Sequence, residues 1–137
     1  MRTADASAFV LDTSAIMTLF EKEDGFLRVR QVIQQNQVFL PWTVLLETTY
    51  ITRQQQGQTV AEERYAALRR LFTDILWEMD EATLLTASRW KADYRLSFAD
   101  AIIAAYTRSR KAVLLHKDPE FEALRGKVAL EALPYKL

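Results

Sequence analysis

The feature that most constrains this chain is an alternation. Short apolar runs at residues 8–11, 38–40, 75–77, 112–115 and 128–130 are separated by longer segments whose apolar residues recur at helical spacing. A run of three or four apolar residues without polar alternation reads as a strand buried on both faces. Such strands are typical of parallel sheets, whose crossovers need helices. The chain is therefore expected to be an α/β protein with a mainly parallel sheet covered on both sides.

The intervening segments carry helix signals. Ala15 to Phe20 turns helical directly after Asp12-Thr13-Ser14, which makes a strand-to-helix corner at Asp12. Phe26, Val29, Val32 and Ile33 mark a second helix ending near Gln35. Leu46, Tyr50 and Ile51 suit one face of a helix from Thr43 to about Gln56, and Gly57 is placed to end it in a left-handed cap. From Val60 to Phe72, Tyr65, Leu68 and Leu71 fall on one side and Arg64, Arg69 and Arg70 on the other. Ala82 to Tyr94 is amphipathic through Leu85 and Trp90, and Ser97-Phe98-Ala99-Asp100 has the capping spacing that opens a helix through Tyr106. Asp118-Pro119 starts a turn or short helix.

Composition narrows the function classes. With 137 residues, half of them hydrophobic, and only three Gly and three Pro, the reading is one domain over residues 1–137 without a linker. Lys and Arg number 18 and so do Asp and Glu, so no global basic field draws in a polyanion, and any nucleic-acid contact is local. The absence of cysteine excludes a disulfide frame, a thiolate nucleophile and a cysteine zinc site. His116 is the only histidine, which excludes a two-imidazole acid/base pair within one chain. The start of the chain lacks a secretory apolar core, and no stretch is long and apolar enough for a membrane span, so a cytoplasmic protein is expected.

Ligands of parallel sheets collect at the carboxyl ends of the strands. Asp12 directly follows the first strand, Asp118 follows the strand at 112–115 with two residues between, and Glu47 and Asp100 stand near helix starts. Each also has an ordinary role. Asp12, Thr13 or Ser14 can cap a helix, Asp100 can complete a capping box with Ser97, Asp118 before Pro119 is a good N-cap, and Glu47 suits a solvated helix face.

The pattern as a whole resembles the PIN-domain nucleases, a family that includes VapC-type toxins of toxin-antitoxin pairs. Val10-Leu11-Asp12-Thr13-Ser14-Ala15 is similar to the opening motif and Leu45-Leu46-Glu47 to the second acidic block. Ser97-Phe98-Ala99-Asp100-Ala101-Ile102-Ile103-Ala104-Ala105 is similar to the third, and Asp118-Pro119-Glu120-Phe121 to the last. Order and spacing carry the likeness over nearly the whole chain. It implies a three-layer α/β/α sandwich and an Mg²⁺- or Mn²⁺-dependent endoribonuclease with Asp12, Glu47, Asp100 and Asp118 as the acidic site. Ser14 resembles the family's small hydroxyl residue there, with Thr13 and His116 as supporting neighbours. His116 stands where many members carry Thr or Ser. The resemblance further implies an RNA substrate, a homodimer and a small antitoxin that inserts a segment, often bearing Arg, into the acidic cleft.

Clustered carboxylates raise one another's pKa and recruit a hard cation that keeps them ionised. The expectation is that Asp12 and Asp100 bind the ion directly, while Glu47 and Asp118 bind through water or orient the attacking water. In-line attack by water leaves 5′-phosphate and 3′-hydroxyl ends. Trp42 is the tryptophan best placed to stack on a base, and Arg108, Arg110, Lys111 and Lys117 are candidates for a phosphate-binding rim or for a plain solvated helix end. Two rival functions are a PIN module that binds RNA or a partner without cutting, and aspartyl phosphoryl transfer of the haloacid dehalogenase type. The second lacks its Asp-x-Asp, since Asp12-Thr13-Ser14 has no carboxylate two positions on.

Overall fold

The computed structural model describes residues 7–137. Its centre is β1 (Ala8–Leu11), where Phe9, Val10 and Leu11 are buried in succession. Neighbouring strand residues point to opposite faces, so consecutive burial means that both faces of the sheet are covered. β2 (Gln37–Pro41) and β4 (Val113–His116) flank it, with β3 (Asp74–Leu76) beyond β2 and β5 (Ala129–Ala132) beyond β4, in the order β3-β2-β1-β4-β5. Every pairing of these five strands is parallel, with Val10 opposite both Phe39 and Leu114. The α/β/α architecture with a parallel sheet, expected from the apolar runs and the family likeness, is the one found.

Six α-helices and one 3₁₀ helix make the crossovers: α1 (Thr13–Glu21), α2 (Phe26–Gln35), α3 (Trp42–Gln56), α4 (Gln58–Leu71), α5 (Glu81–Asp93), α6 (Phe98–Ser109) and the 3₁₀ segment Pro119–Leu124. The chain first builds outward from β1 to β3, then returns to add β4 and β5 on the other side of β1. The strand order therefore reverses between β1 and β4. In open parallel sheets, that switch point at the carboxyl edge is where loops part and a ligand crevice opens. No described helix is long and apolar enough to cross a membrane.

Several local expectations differ from what is observed. On α3 the buried residues are Thr43, Val44, Leu45, Thr48 and Thr52, while Leu46 and Tyr50 face outward. Thr48 and Thr52 are fully buried in line with Val44, so the 44-48-52 stripe was hidden in the sequence behind hydroxyl-bearing residues. Leu71 on α4 and Leu85 on α5 are likewise exposed rather than core-facing. Gly57 does adopt a positive φ, 93°, but with ψ 174° rather than the left-handed helical value. That region is nearly closed to residues with a Cβ, and it lets α4 begin at Gln58 without an intervening turn. Trp77 lies just past β3, with the Arg69 guanidinium 5.3 Å above its ring.

Candidate active site

Asp12 leaves β1 and becomes the N-cap of α1. Its Oδ1 accepts the Ala15 N–H at 2.8 Å, and its own N–H reaches the Leu115 carbonyl of β4 at 3.3 Å. The Ser14 hydroxyl also donates to this carboxylate, at 2.7 Å. Capping and site-facing roles thus coincide in one side chain. Burial pushes the Asp12 carboxyl up to about 7, with Asp118 adding repulsion and the Ser14 and Ala15 donors opposing the rise.

Asp100 sits in the first turn of α6, where its N–H donates to Ser97 Oγ at 3.1 Å. Ser97 supplies the cap, and the Asp100 carboxyl is left to face the other acids. Burial pushes it up to about 8, reinforced by Asp12, Asp118 and Glu47. Glu47, in the second turn of α3, accepts the Thr13 hydroxyl at 2.5 Å across 34 residues of sequence. Asp118 caps the 3₁₀ helix by accepting the Glu120 N–H at 2.9 Å. Carboxylate oxygens of Asp100, Asp118 and Glu120 all lie within 4.8 Å of one another.

These groups open on a cleft of about 730 Å³ lined by seven carboxylates: Asp12, Glu21, Glu23, Glu47, Asp100, Asp118 and Glu120. Among the described residues, no cationic side chain pairs with Asp12 or Asp100. Lys117 lines the same cleft, but its ammonium donates to the Asp24 carbonyl at 2.6 Å and lies 3.5 Å from Glu23. An all-oxygen donor set with two buried carboxyls that resist ionisation fits a hard divalent cation such as Mg²⁺ or Mn²⁺.

Residues 9–127 match the profile of the PIN domain, which is most of the chain. The chain belongs to the PIN domain family. Solved structures agree in fold: a chain of VapBC2 from Rickettsia felis, crystallised bound to a DNA fragment from its promoter, has a TM-score of 0.76 and 13% identity over 93% of this chain and 99% of that one. A chain of DNA-bound VapBC from Salmonella typhimurium gives 0.75 and 17% over 92% and 98%. VapC20 of Mycobacterium tuberculosis, a sarcin-ricin loop cleaving toxin, gives 0.69 and 22% over 92% and 99%. No curated protein matches the sequence itself.

Within this PIN domain, Asp12, Glu47, Asp100 and Asp118 come together from four separate elements, with Thr13 and Ser14 beside them. His116 does not join them. It is fully buried, its Nδ1 accepts the Asp118 N–H at 3.1 Å, and its ring packs edge-on against Phe121. It therefore supports the backbone of Asp118 rather than the carboxylate. Burial holds the imidazole pKa below its usual value, against the opposing pull of Glu122 and Asp118.

The expected RNA-contacting residues divide. Lys117 lines the cleft. Trp42 does not: it borders a separate apolar hollow with Leu45, Leu46, Tyr65 and Trp77, and its Nε1–H is committed to the Tyr106 oxygen at 3.1 Å. Arg108, Arg110 and Lys111 lie at the end of α6 opposite to Asp100, so the basic rim expected from them is not at the acidic cleft. Arg108 stacks on Trp90 and Arg110 on Phe39 instead. A helix of 12 residues spans roughly 18 Å, which is why neighbours of β4 in sequence are far from its carboxyl edge.

Glu120, Tyr135 and Lys136 were missed. Glu120 carried a signal, since a carboxylate two positions after a capping Asp in a tight turn lies near its partner. Tyr135 and Lys136 carried none, because only the path of the chain after β5 returns them to the cleft.

Proposed function

We propose that this PIN domain is a divalent-metal-dependent endoribonuclease, the toxin of a toxin-antitoxin pair. The observation that carries the reading is the convergence of Asp12, Glu47, Asp100 and Asp118 in one cleft, with Asp12 and Asp100 buried and lacking a protein counter-cation among the described residues. Mg²⁺ or Mn²⁺, when bound, supplies charge neutralisation for the carboxylates and for the phosphoryl oxygens of the substrate.

Asp12 and Asp100 are the residues that would hold the ion directly. Asp12 is pre-positioned by the Ser14 hydroxyl and the Ala15 N–H, so its oxygens need little reorganisation. Glu47, held by Thr13, and Asp118, held by the Glu120 N–H, orient the attacking water and take its proton. Attack by water in line with the leaving 3′-oxygen leaves 5′-phosphate and 3′-hydroxyl ends. The structural likeness to chains of toxin-antitoxin complexes supports an antitoxin as partner. A homodimer as the working assembly, in the cytoplasm and with residues 1–137 acting as one domain, completes the proposal.

The test is cleavage of a panel of single-stranded and structured RNAs by purified protein with Mg²⁺, Mn²⁺ or EDTA, alongside Asp12→Asn and Asp100→Asn. Metal-dependent cutting with 5′-phosphate ends, lost in both folded variants, is the expected result. RNA binding without cutting under every metal, unchanged in the variants, would replace the nuclease with a non-catalytic binding module.

A further inference from the structure

The acidic cleft faces a problem of charge if its substrate is RNA. Seven carboxylates line it, and the cations among its described lining residues are Lys117 and Lys136. Lys117 is committed: its side chain is only 4% exposed, and its ammonium is held by the Asp24 carbonyl and Glu23. Lys136 differs. Its side chain is 72% exposed, and among the described residues its single ionic partner is Glu23, at 2.9 Å.

The segment that carries Lys136 is fixed to the cleft wall at successive points. The Leu133 N–H donates to the His116 carbonyl at 2.7 Å, and the Leu133 side chain is buried. Gly25, with φ at +97°, lets this segment pack closely, since a Cβ there would stand 3.1 Å from both Leu133 and Pro134. The Tyr135 hydroxyl donates to Glu122 at 2.5 Å. The backbone is thus anchored on both β4 and the 3₁₀ helix, while the Lys136 ammonium stays in water at the rim. Exchanging the Glu23 carboxylate, 26% exposed and also paired with Lys117, for a phosphate costs an ammonium in water little, because an ion pair open to solvent on one side is weak.

We infer that Lys136 binds the phosphate backbone of the RNA at this cleft, with residues 133–136 as the wall that presents it. The inference rests on the nuclease reading and deepens it. Glu23 parks the ammonium when no RNA is bound, and Lys117 keeps Glu23 in place. A phosphate contact outside the chemical step acts on binding and responds to salt; it does not set the rate of bond cleavage.

The experiment compares wild type with Lys136→Ala, Lys136→Arg and Lys136→Glu, using a fluorescein-labelled single-stranded oligoribonucleotide. Cleavage is followed with Mg²⁺ over a range of salt concentrations, and binding by anisotropy in EDTA. The expected result for Lys136→Ala is a KM raised about five- to tenfold at low salt, kcat within about twofold of wild type, and a log-log salt slope shallower by about one. Lys136→Arg restores KM and Lys136→Glu raises it further. The rise in melting temperature on adding Mg²⁺ is the same in all four proteins, which separates this role from metal binding. Unchanged KM and salt slope in Lys136→Ala overturn the inference and leave the nuclease standing; a loss confined to kcat overturns it by placing Lys136 in the chemical step. If wild type binds RNA without cutting, the anisotropy comparison still decides the role of Lys136. If it neither binds nor cuts, both readings fall.

Discussion

The hydroxyl of Ser14 is shared by the two carboxylate oxygens of Asp12, 2.7 Å from each. The same Ser14 oxygen accepts the Lys117 N–H at 2.8 Å, so one small side chain joins the end of β1 to the end of β4. Ser14→Ala orphans the Lys117 N–H and removes a donor that opposes the raised Asp12 pKa. The expected cost is about 1–2 kcal/mol, read as a fall of several degrees in melting temperature. The Mg²⁺-induced rise in melting temperature also shrinks. A variant as stable and as responsive to Mg²⁺ as wild type would contradict this role.

Asp12 and Asp100 make stability depend on pH with a definite sign. Their folded-state pKa values, about 7 and about 8, lie above the ordinary 3.8, so between about pH 4 and pH 8 the folded protein holds protons that the unfolded chain releases. Stability of the metal-free protein therefore falls as pH rises through that window. The expected difference is on the order of a few kcal/mol. Differential scanning in EDTA at pH 5.5 and pH 8 checks it. Mg²⁺, which favours the ionised carboxylates, raises the melting temperature more at pH 8 than at pH 5.5.

His116 accepts the Asp118 N–H through Nδ1, which places the ring proton on Nε2 in the neutral form. Its pKa is lowered, chiefly by burial, so the ring is expected to stay neutral at pH 6.5, with nitrogen NMR shifts typical of an Nε2-protonated tautomer. An imidazolium spectrum at that pH would refute the assignment. His116→Ala is expected to cost about 2–4 kcal/mol in urea unfolding through lost packing and an orphaned N–H. His116→Asn keeps an acceptor and costs less.

Trp42 and Tyr106 form a part-buried relay: the indole N–H donates to the Tyr106 oxygen, whose hydroxyl donates to the Glu78 carbonyl at 2.7 Å. Tyr106→Phe leaves both partners unsatisfied at an expected cost of about 1–3 kcal/mol. Because neither ring borders the acidic cleft, KM for RNA is expected to match wild type at a temperature where the variant is folded. A raised KM in folded Tyr106→Phe would return Trp42 to the substrate site.

Short apolar runs determined the parallel sheet, because a strand with no polar face has to be covered twice, and that condition is written residue by residue along the chain. The strand-to-helix corner at Asp12 and the Ser97 cap ahead of Asp100 were legible for the same reason, being interactions over two or three residues. Helix faces were less legible. The stripe of Val44, Thr48 and Thr52 on α3 does not look apolar, and Leu46, Leu71 and Leu85 look buried without being so. Only the tertiary structure decided which charges share the cleft. Arg108 and Lys111 are near Asp118 in sequence yet lie in the last turn of α6 and just past it, at the end far from the cleft, while Lys136 reaches the cleft because β5 runs parallel to β4 and delivers the chain to the same edge. Local propensity reads neighbours along the chain, whereas a site depends on strand order and direction, which long-range packing alone sets.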